Sequence, residues 1–81
     1  MNLVELTEYL VKNLVKQPDM VSVKQYDDDE EYTNIEILVS SSDMGAVIGK
    51  SGSIANSIRT IVQASAYVNG LKKVRINIDS F

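Results

Sequence analysis

The sequence predicts an α+β fold: a two-layer sandwich with element order α-β-β-α-α-β, its three-stranded mixed sheet packed by helices on one face. Three observations lead there. Apolar residues recur every three or four positions near the N-terminus and again after Gly52, which is the helical period. They alternate with polar residues in three shorter stretches, which is the strand period. The chain has 81 residues, 44% of them hydrophobic, which suits one small core and leaves no room for a second.

The elements follow in order. Leu3, Leu6, Leu10 and Leu14, widened by Val4, Val11 and Val15, form a stripe opposite Glu5, Glu8, Lys12 and Lys16. This pattern predicts an amphipathic helix of about four turns that ends before Pro18. Val21 and Val23 alternate with Ser22 and Lys24, giving a half-buried strand over 20–26. Ile35, Ile37 and Val39 give a second strand over 32–40, and the short polar connection makes the pair an antiparallel hairpin. Ser41-Ser42-Asp43 has the small polar side chains that cap a helix start, here of a helix confined before Gly49. Ile54, Ala55, Ile58, Ile61, Val62, Ser65 and Ala66 share one face of a helix over 53–68 that Asn69-Gly70 stops. Val74, Ile76 and Ile78 alternate as the last strand. Two helices separate the second and third strands, so these strands are expected to be parallel if they are neighbours.

Composition excludes several classes. The chain has neither Cys nor His, so thiolate or imidazole metal sites, disulfides and the commonest general base are absent, and no cofactor is expected. No stretch approaches the ~20 apolar residues of a membrane span, and Glu5 and Glu8 interrupt any secretory signal. A soluble, cytoplasmic protein without membrane contact is the expectation. The net charge of −3 argues against a polyanionic partner until its distribution is considered. Asp27, Asp28, Asp29, Glu30 and Glu31 form one run; of the eleven acids, six remain elsewhere against eight basic residues. Repulsion within that run predicts a mobile hairpin tip, and a sharper reading has the tip border a binding groove and repel duplex nucleic acid.

Val47-Ile48-Gly49-Lys50-Ser51-Gly52 joins the short helix to the long one. Two glycines three apart let the backbone turn sharply and admit a close ligand. The free amides and positive dipole end of the second helix face the loop, and Lys50 adds a mobile charge, which suits a phosphate chain. Local chemistry alone is equally met by a plain helical joint, with Gly49 as C-cap and Ser51 or Ser53 as the next N-cap. A nucleotide-binding P-loop is rejected: its first glycine would fall at Met44, and a helix rather than a strand leads into the loop.

Val-Ile-Gly-x-x-Gly between a short and a long helix resembles the signature of K-homology (KH) domains, and the element order resembles their type II arrangement. With Ile58-Arg59-Thr60, Pro18-Asp19 and the chain length, the sequence is similar over its whole extent to the small stand-alone bacterial KH proteins of the KhpA type. The resemblance makes residues 1–81 a single KH domain with a groove for about four unpaired nucleotides, whose backbone the glycine loop clamps. It assigns single-stranded RNA to Gly49, Lys50, Ser51 and Gly52, places Ile48 and Ile54 near the groove floor, and lets Arg59 meet a phosphate or a partner. Ser53 belongs to the same stretch but stands where the family commonly has a basic residue, which removes one phosphate contact. Ala55 replaces a large aliphatic residue of many other KH domains. Homodimers, heterodimers with a larger KH-containing RNA-binding protein, and a role as RNA chaperone or post-transcriptional regulator linked to cell growth and shape are further implications.

Arg59, Lys72, Lys73 and Arg75 are read mainly as solvated charges, and Tyr9, Tyr26, Tyr32 and Tyr67 mostly as core edges or partner contacts. No residue near Asp43 and Ser51 completes a nucleophilic triad, so enzymatic activity is not expected. The rival reading is a dimerisation subunit with little RNA binding of its own.

Overall fold

The structure, a computed structural model, describes all residues from Met1 to Phe81. Helix α1 (Leu3–Lys12) starts on a capping box: the Asn2 side chain accepts from the Glu5 amide at 2.8 Å, and Glu5 accepts from the Asn2 amide at 3.2 Å. The hairpin follows as β1 (Ser22–Tyr26) and β2 (Tyr32–Val39). Next come α2 (Met44–Ile48), α3 (Ser53–Val68) and β3 (Lys73–Ser80), with single 3₁₀ turns at Pro18–Met20, Ser41–Asp43 and Lys50–Gly52. The sheet order is β1-β2-β3, antiparallel between β1 and β2 and parallel between β2 and β3, as the sequence pattern requires.

One face of the sheet is buried. Thr33, Ile35, Ile37 and Val39 of β2 are nearly inaccessible, alternating with half-buried residues along the strand. Onto them pack Leu3 and Val11 of α1, Val47 of α2, Ile58, Val62 and Ala66 of α3, and Ile76 of β3. The acidic tip and the glycine loop sit at opposite ends of this layer. β3 begins level with Tyr32, only residues 69–72 separate it from the end of α3, and α3 therefore runs back toward the Val39 end, where the loop lies.

Helix α1 stops a turn earlier than its stripe predicts. The reason is Asp43, whose carboxylate is buried and takes the amides of Lys16 at 3.0 Å and Gln17 at 3.1 Å, one on each oxygen. Those amides are drawn out of helical register, and Asn13 closes the helix by donating its side-chain amide to the Tyr9 carbonyl at 2.6 Å. Asp43 consequently makes no side-chain cap on α2, the role its position suggested. Leu14 falls beyond the helix and is 38% exposed, while Thr7, with its hydroxyl bonded to the Leu3 carbonyl, fills the core position between Leu3 and Val11.

The tip is tied down despite its charge. Asp29 accepts from the amides of Glu31 at 2.8 Å and Tyr32 at 3.3 Å, and Asp27 accepts from the Thr33 hydroxyl and the Gln25 side-chain amide. Lys72 reaches across to the Asp29 carbonyl at 2.8 Å. The Glu31 amide holds the Asp29 carboxyl below its ordinary pKa; burial opposes this, and the Tyr32 amide with the charges of Arg75 and Lys72 reinforces it.

Two predictions follow from these polar anchors. Asp43→Ala should lower unfolding stability by about 3 kcal/mol, because two buried amides lose a charged acceptor; denaturant titration checks this. Because the folded pKa of Asp29 is depressed, its contribution is complete above about pH 4 and fades as pH falls through the lowered value. Asp29→Ala should therefore melt below the wild type at neutral pH, with the gap closing on acidification in thermal scans.

Candidate nucleic-acid interface

The loop between α2 and α3 shows two glycines with different tasks. Gly49 ends α2, donating its amide to the Gly45 carbonyl at 2.9 Å, and then turns to φ 76°, ψ 176°, a region open essentially to glycine alone. A Cβ there would run into the Ile54 side chain and lie 2.8 Å from the Ile54 amide nitrogen. Gly49 is thus needed by the chain's own packing. Gly52 is left-handed at φ 77°, ψ 13°, and a Cβ on it would meet only the Asn56 side-chain amide, at 3.9 Å. Its bare face is open to a ligand.

Ser51 is the only non-glycine residue with positive φ, at 55°. Such backbone concentrates at functional sites, where the surroundings hold it. Neither Ser51 nor Ser53 caps α3: Gly52 occupies the cap position and no side chain bonds the first turn. Of the plain-joint reading, Gly49 as C-cap of α2 holds and the serine N-cap does not, which leaves the first amides of α3 without a side-chain acceptor. The single ion pair of the structure joins Lys12 to Glu8, which leaves exposed Lys50 without a carboxylate partner beside this helix end.

The other expected site residues separate around α3. Ile48 is half-buried at the end of α2, and Ser53 is exposed at the first position of α3. Ile54 leans against Gly49 and lines an apolar groove with Tyr9, Leu10, Leu14, Ile58 and Ile61, between α1 and α3. Arg59 lies roughly 140° around the helix from Ile54 at 3.6 residues per turn. It donates to the Asn56 side-chain Oδ1 at 3.1 Å and lines a second groove, of about 750 Å³, between α3 and the start of β3. Ile54 and Arg59 therefore serve different faces. Of the remaining cations, Lys73 lines the same groove as Arg59, Lys72 is engaged by the tip, and the Arg75 guanidinium sits 4.0 Å from the centre of the Tyr32 ring. Sequence spacing did not single out Gln63, whose side-chain Oε1 accepts from the Val74 amide at 2.8 Å and ties α3 to the open edge of β3.

A short helix, a Gly-x-x-Gly turn and a long helix set on a β1-β2-β3 mixed sheet form the site, and residues 4–78 match the family described as KhpA/KhpB, KH domain. The chain belongs to the KhpA/KhpB KH-domain family. Among curated relatives, it is 45% identical over 74 residues to RNA-binding protein KhpA of Clostridium perfringens, covering 91% of this chain and 96% of that one. It is 43% identical over 65 residues to RNA-binding protein KhpA of Borreliella burgdorferi, covering 80% and 78%. Among solved structures, Era of Aquifex aeolicus bound to GDP and aluminium fluoride superposes with a TM-score of 0.70 at 18% identity, covering 98% of this chain. Era in complex with MgGDPNP and nucleotides 1506–1542 of 16S ribosomal RNA gives 0.65 at 19%, covering 96%. The chain spans 30% and 29% of those two structures, and the likeness establishes the fold. No helix of the KH domain is long and apolar enough to cross a membrane.

The two glycines of the KH loop should respond differently to alanine. Gly49→Ala should cost at least about 2 kcal/mol, since a glycine-only conformation and a clash with Ile54 combine. Gly52→Ala should cost about 1 kcal/mol, the ordinary left-handed penalty. Equal losses in chemical denaturation would contradict the division.

Proposed function

We propose that residues 1–81 act as one non-catalytic KH domain that holds short single-stranded RNA on the Gly49-Lys50-Ser51-Gly52 loop. The observation that carries this reading is the bare, left-handed Gly52 at an uncapped helix start beside an unpaired lysine. Phosphates laid across the loop meet helix amides and the Lys50 ammonium, with Ile48 and Ser53 beside them and Arg59 two turns on. Kinship with proteins named RNA-binding protein KhpA supports the same ligand.

With few phosphate contacts, one such domain binds weakly, and pairing raises effective concentration. We therefore assign it a paired state, as a homodimer or with a larger KH-containing RNA-binding protein. Its role is that of a cytoplasmic RNA chaperone or post-transcriptional regulator connected to cell growth and shape. The second reading, a dimerisation subunit, is favoured by the α1–α3 groove, where Tyr9 and Ile61 are 59% and 45% exposed.

Lys50→Asp with Ser51→Asp should abolish RNA crosslinking in cells while leaving far-UV circular dichroism and solution mass unchanged. Unchanged crosslinking in a folded variant overturns the loop assignment in favour of the subunit reading. In vitro, if Lys50 and Arg59 are the two phosphate contacts, log K should fall with log salt at a slope of about −1.4.

A further inference from the structure

We propose that Asn69 is a site of spontaneous covalent modification: its side chain cyclises onto the Gly70 nitrogen and opens to aspartate and isoaspartate, with the C-terminal cap of α3 as the gate. This goes beyond the RNA reading and does not depend on it. The chain has six asparagines, and only Asn69 is followed by glycine. The step requires the backbone nitrogen of the next residue to reach the asparagine Cγ. A side chain on that next residue obstructs the approach, and glycine has none. Asn2, Asn13, Asn34 and Asn77 precede Leu or Ile, and Asn56 precedes Ser57 inside α3.

In the closed cap the reacting atoms are held apart. The ψ of Asn69 is 9°, which turns the Gly70 nitrogen toward the Asn69 nitrogen and away from its Cβ. The Asn69 side-chain nitrogen donates to the Ser65 carbonyl at 2.7 Å, and the Gly70 amide donates to the Tyr67 carbonyl at 3.1 Å. The Leu71 amide closes the turn on the Ala66 carbonyl at 2.9 Å, with Gly70 left-handed at φ 66°. Little burial supports these bonds: Tyr67 and Val68 are 82% and 81% exposed, and Asn69, Gly70 and Leu71 are exposed as well. Helix ends of this kind open at low free energy, which frees ψ and releases both reacting groups.

Once the cap is open, solvent base takes the Gly70 amide proton and the nitrogen attacks the Asn69 Cγ. The Cγ–Nδ2 bond breaks, and the nitrogen leaves as ammonia. Water then opens the five-membered imide. Cleavage at Cγ leaves aspartate; cleavage at the main-chain carbonyl leaves isoaspartate, with Cβ and Cγ carried into the backbone. Either product replaces the donor to Ser65 with a carboxylate, at the negative end of the helix dipole. Isoaspartate also lengthens the 69–72 link, which sets where β3 starts beside Tyr32. The reacted cap cannot close on its original bonds.

The test incubates the full chain in mildly alkaline buffer and follows each asparagine by peptide mass mapping. Asn69 should convert first, as a mixture of aspartate and isoaspartate. Earlier conversion of another asparagine denies the site, and aspartate alone denies the cyclic route. Unfolding in urea should speed conversion of Asn69 several-fold; equal rates with and without urea remove the cap as gate. Asn69→Gln should abolish the early acidic species in charge-based separation, and its persistence would place the reaction elsewhere. Asn69→Asp, which carries the product carboxylate, should melt about 4 °C below the wild type. An unchanged melting temperature would mean that the helix end tolerates the carboxylate, against the proposal.

Discussion

The joint between α2 and α3 depends on the contact of Gly49 with Ile54. The first residue has no side chain, and the space a Cβ would fill is taken by an isoleucine five positions on. That contact fixes where α2 stops and the angle at which α3 departs. Once α3 is set, Ala55, Ile58, Val62 and Ala66 are buried against the core, while Arg59 and Tyr67 lie on the flank of the helix that opens toward the start of β3. The turn, the buried helix face and the candidate ligand face are therefore one geometrical decision.

Polar residues consolidate this arrangement over long sequence distances. The Asp43 carboxylate gathers two amides from the segment after α1, so the start of the α2 region and the end of α1 are held by a single buried group. At the other end of the sheet, Asp29 and Lys72 link the hairpin tip to the approach of β3. Gln63 performs a similar service between α3 and the edge strand. Each of these bonds satisfies a backbone group that regular structure leaves over, which is the requirement that buried or half-buried backbone must meet.

Much of the fold was legible because it is written in local period. Alternation in β2 and β3 and the three-to-four spacing in α3 are short-range signals, and two helices between two neighbouring strands force them parallel. The KH loop was legible for the same reason, as a contiguous motif. The early end of α1, the core role of Thr7 and the duty of Asp43 were not, since they arise from contacts between distant segments. The tip was read from its charge as loose, whereas the Asp29 carboxylate finds backbone amides and the Asp29 carbonyl finds Lys72, partners that the run alone does not reveal. At the candidate site, the sequence did not reveal the sides its residues take: Ile54 and Arg59, five apart, look onto different grooves.

The acidic tip gathers five carboxylates at one end of the sheet. Strand β2 alone separates Tyr32 from Val39 by about 23 Å, roughly three screening lengths of ~8 Å at physiological ionic strength. The anionic pole is therefore hidden from a polyanion near the glycine turn, and the overall deficit of three charges does not describe what that visitor meets. At larger range or in dilute salt, the acids of the tip are less screened and disfavour approach of a polyanion from that side. An acidic isoelectric point is compatible with RNA binding because five of the eleven acids are gathered in the tip, away from the glycine turn.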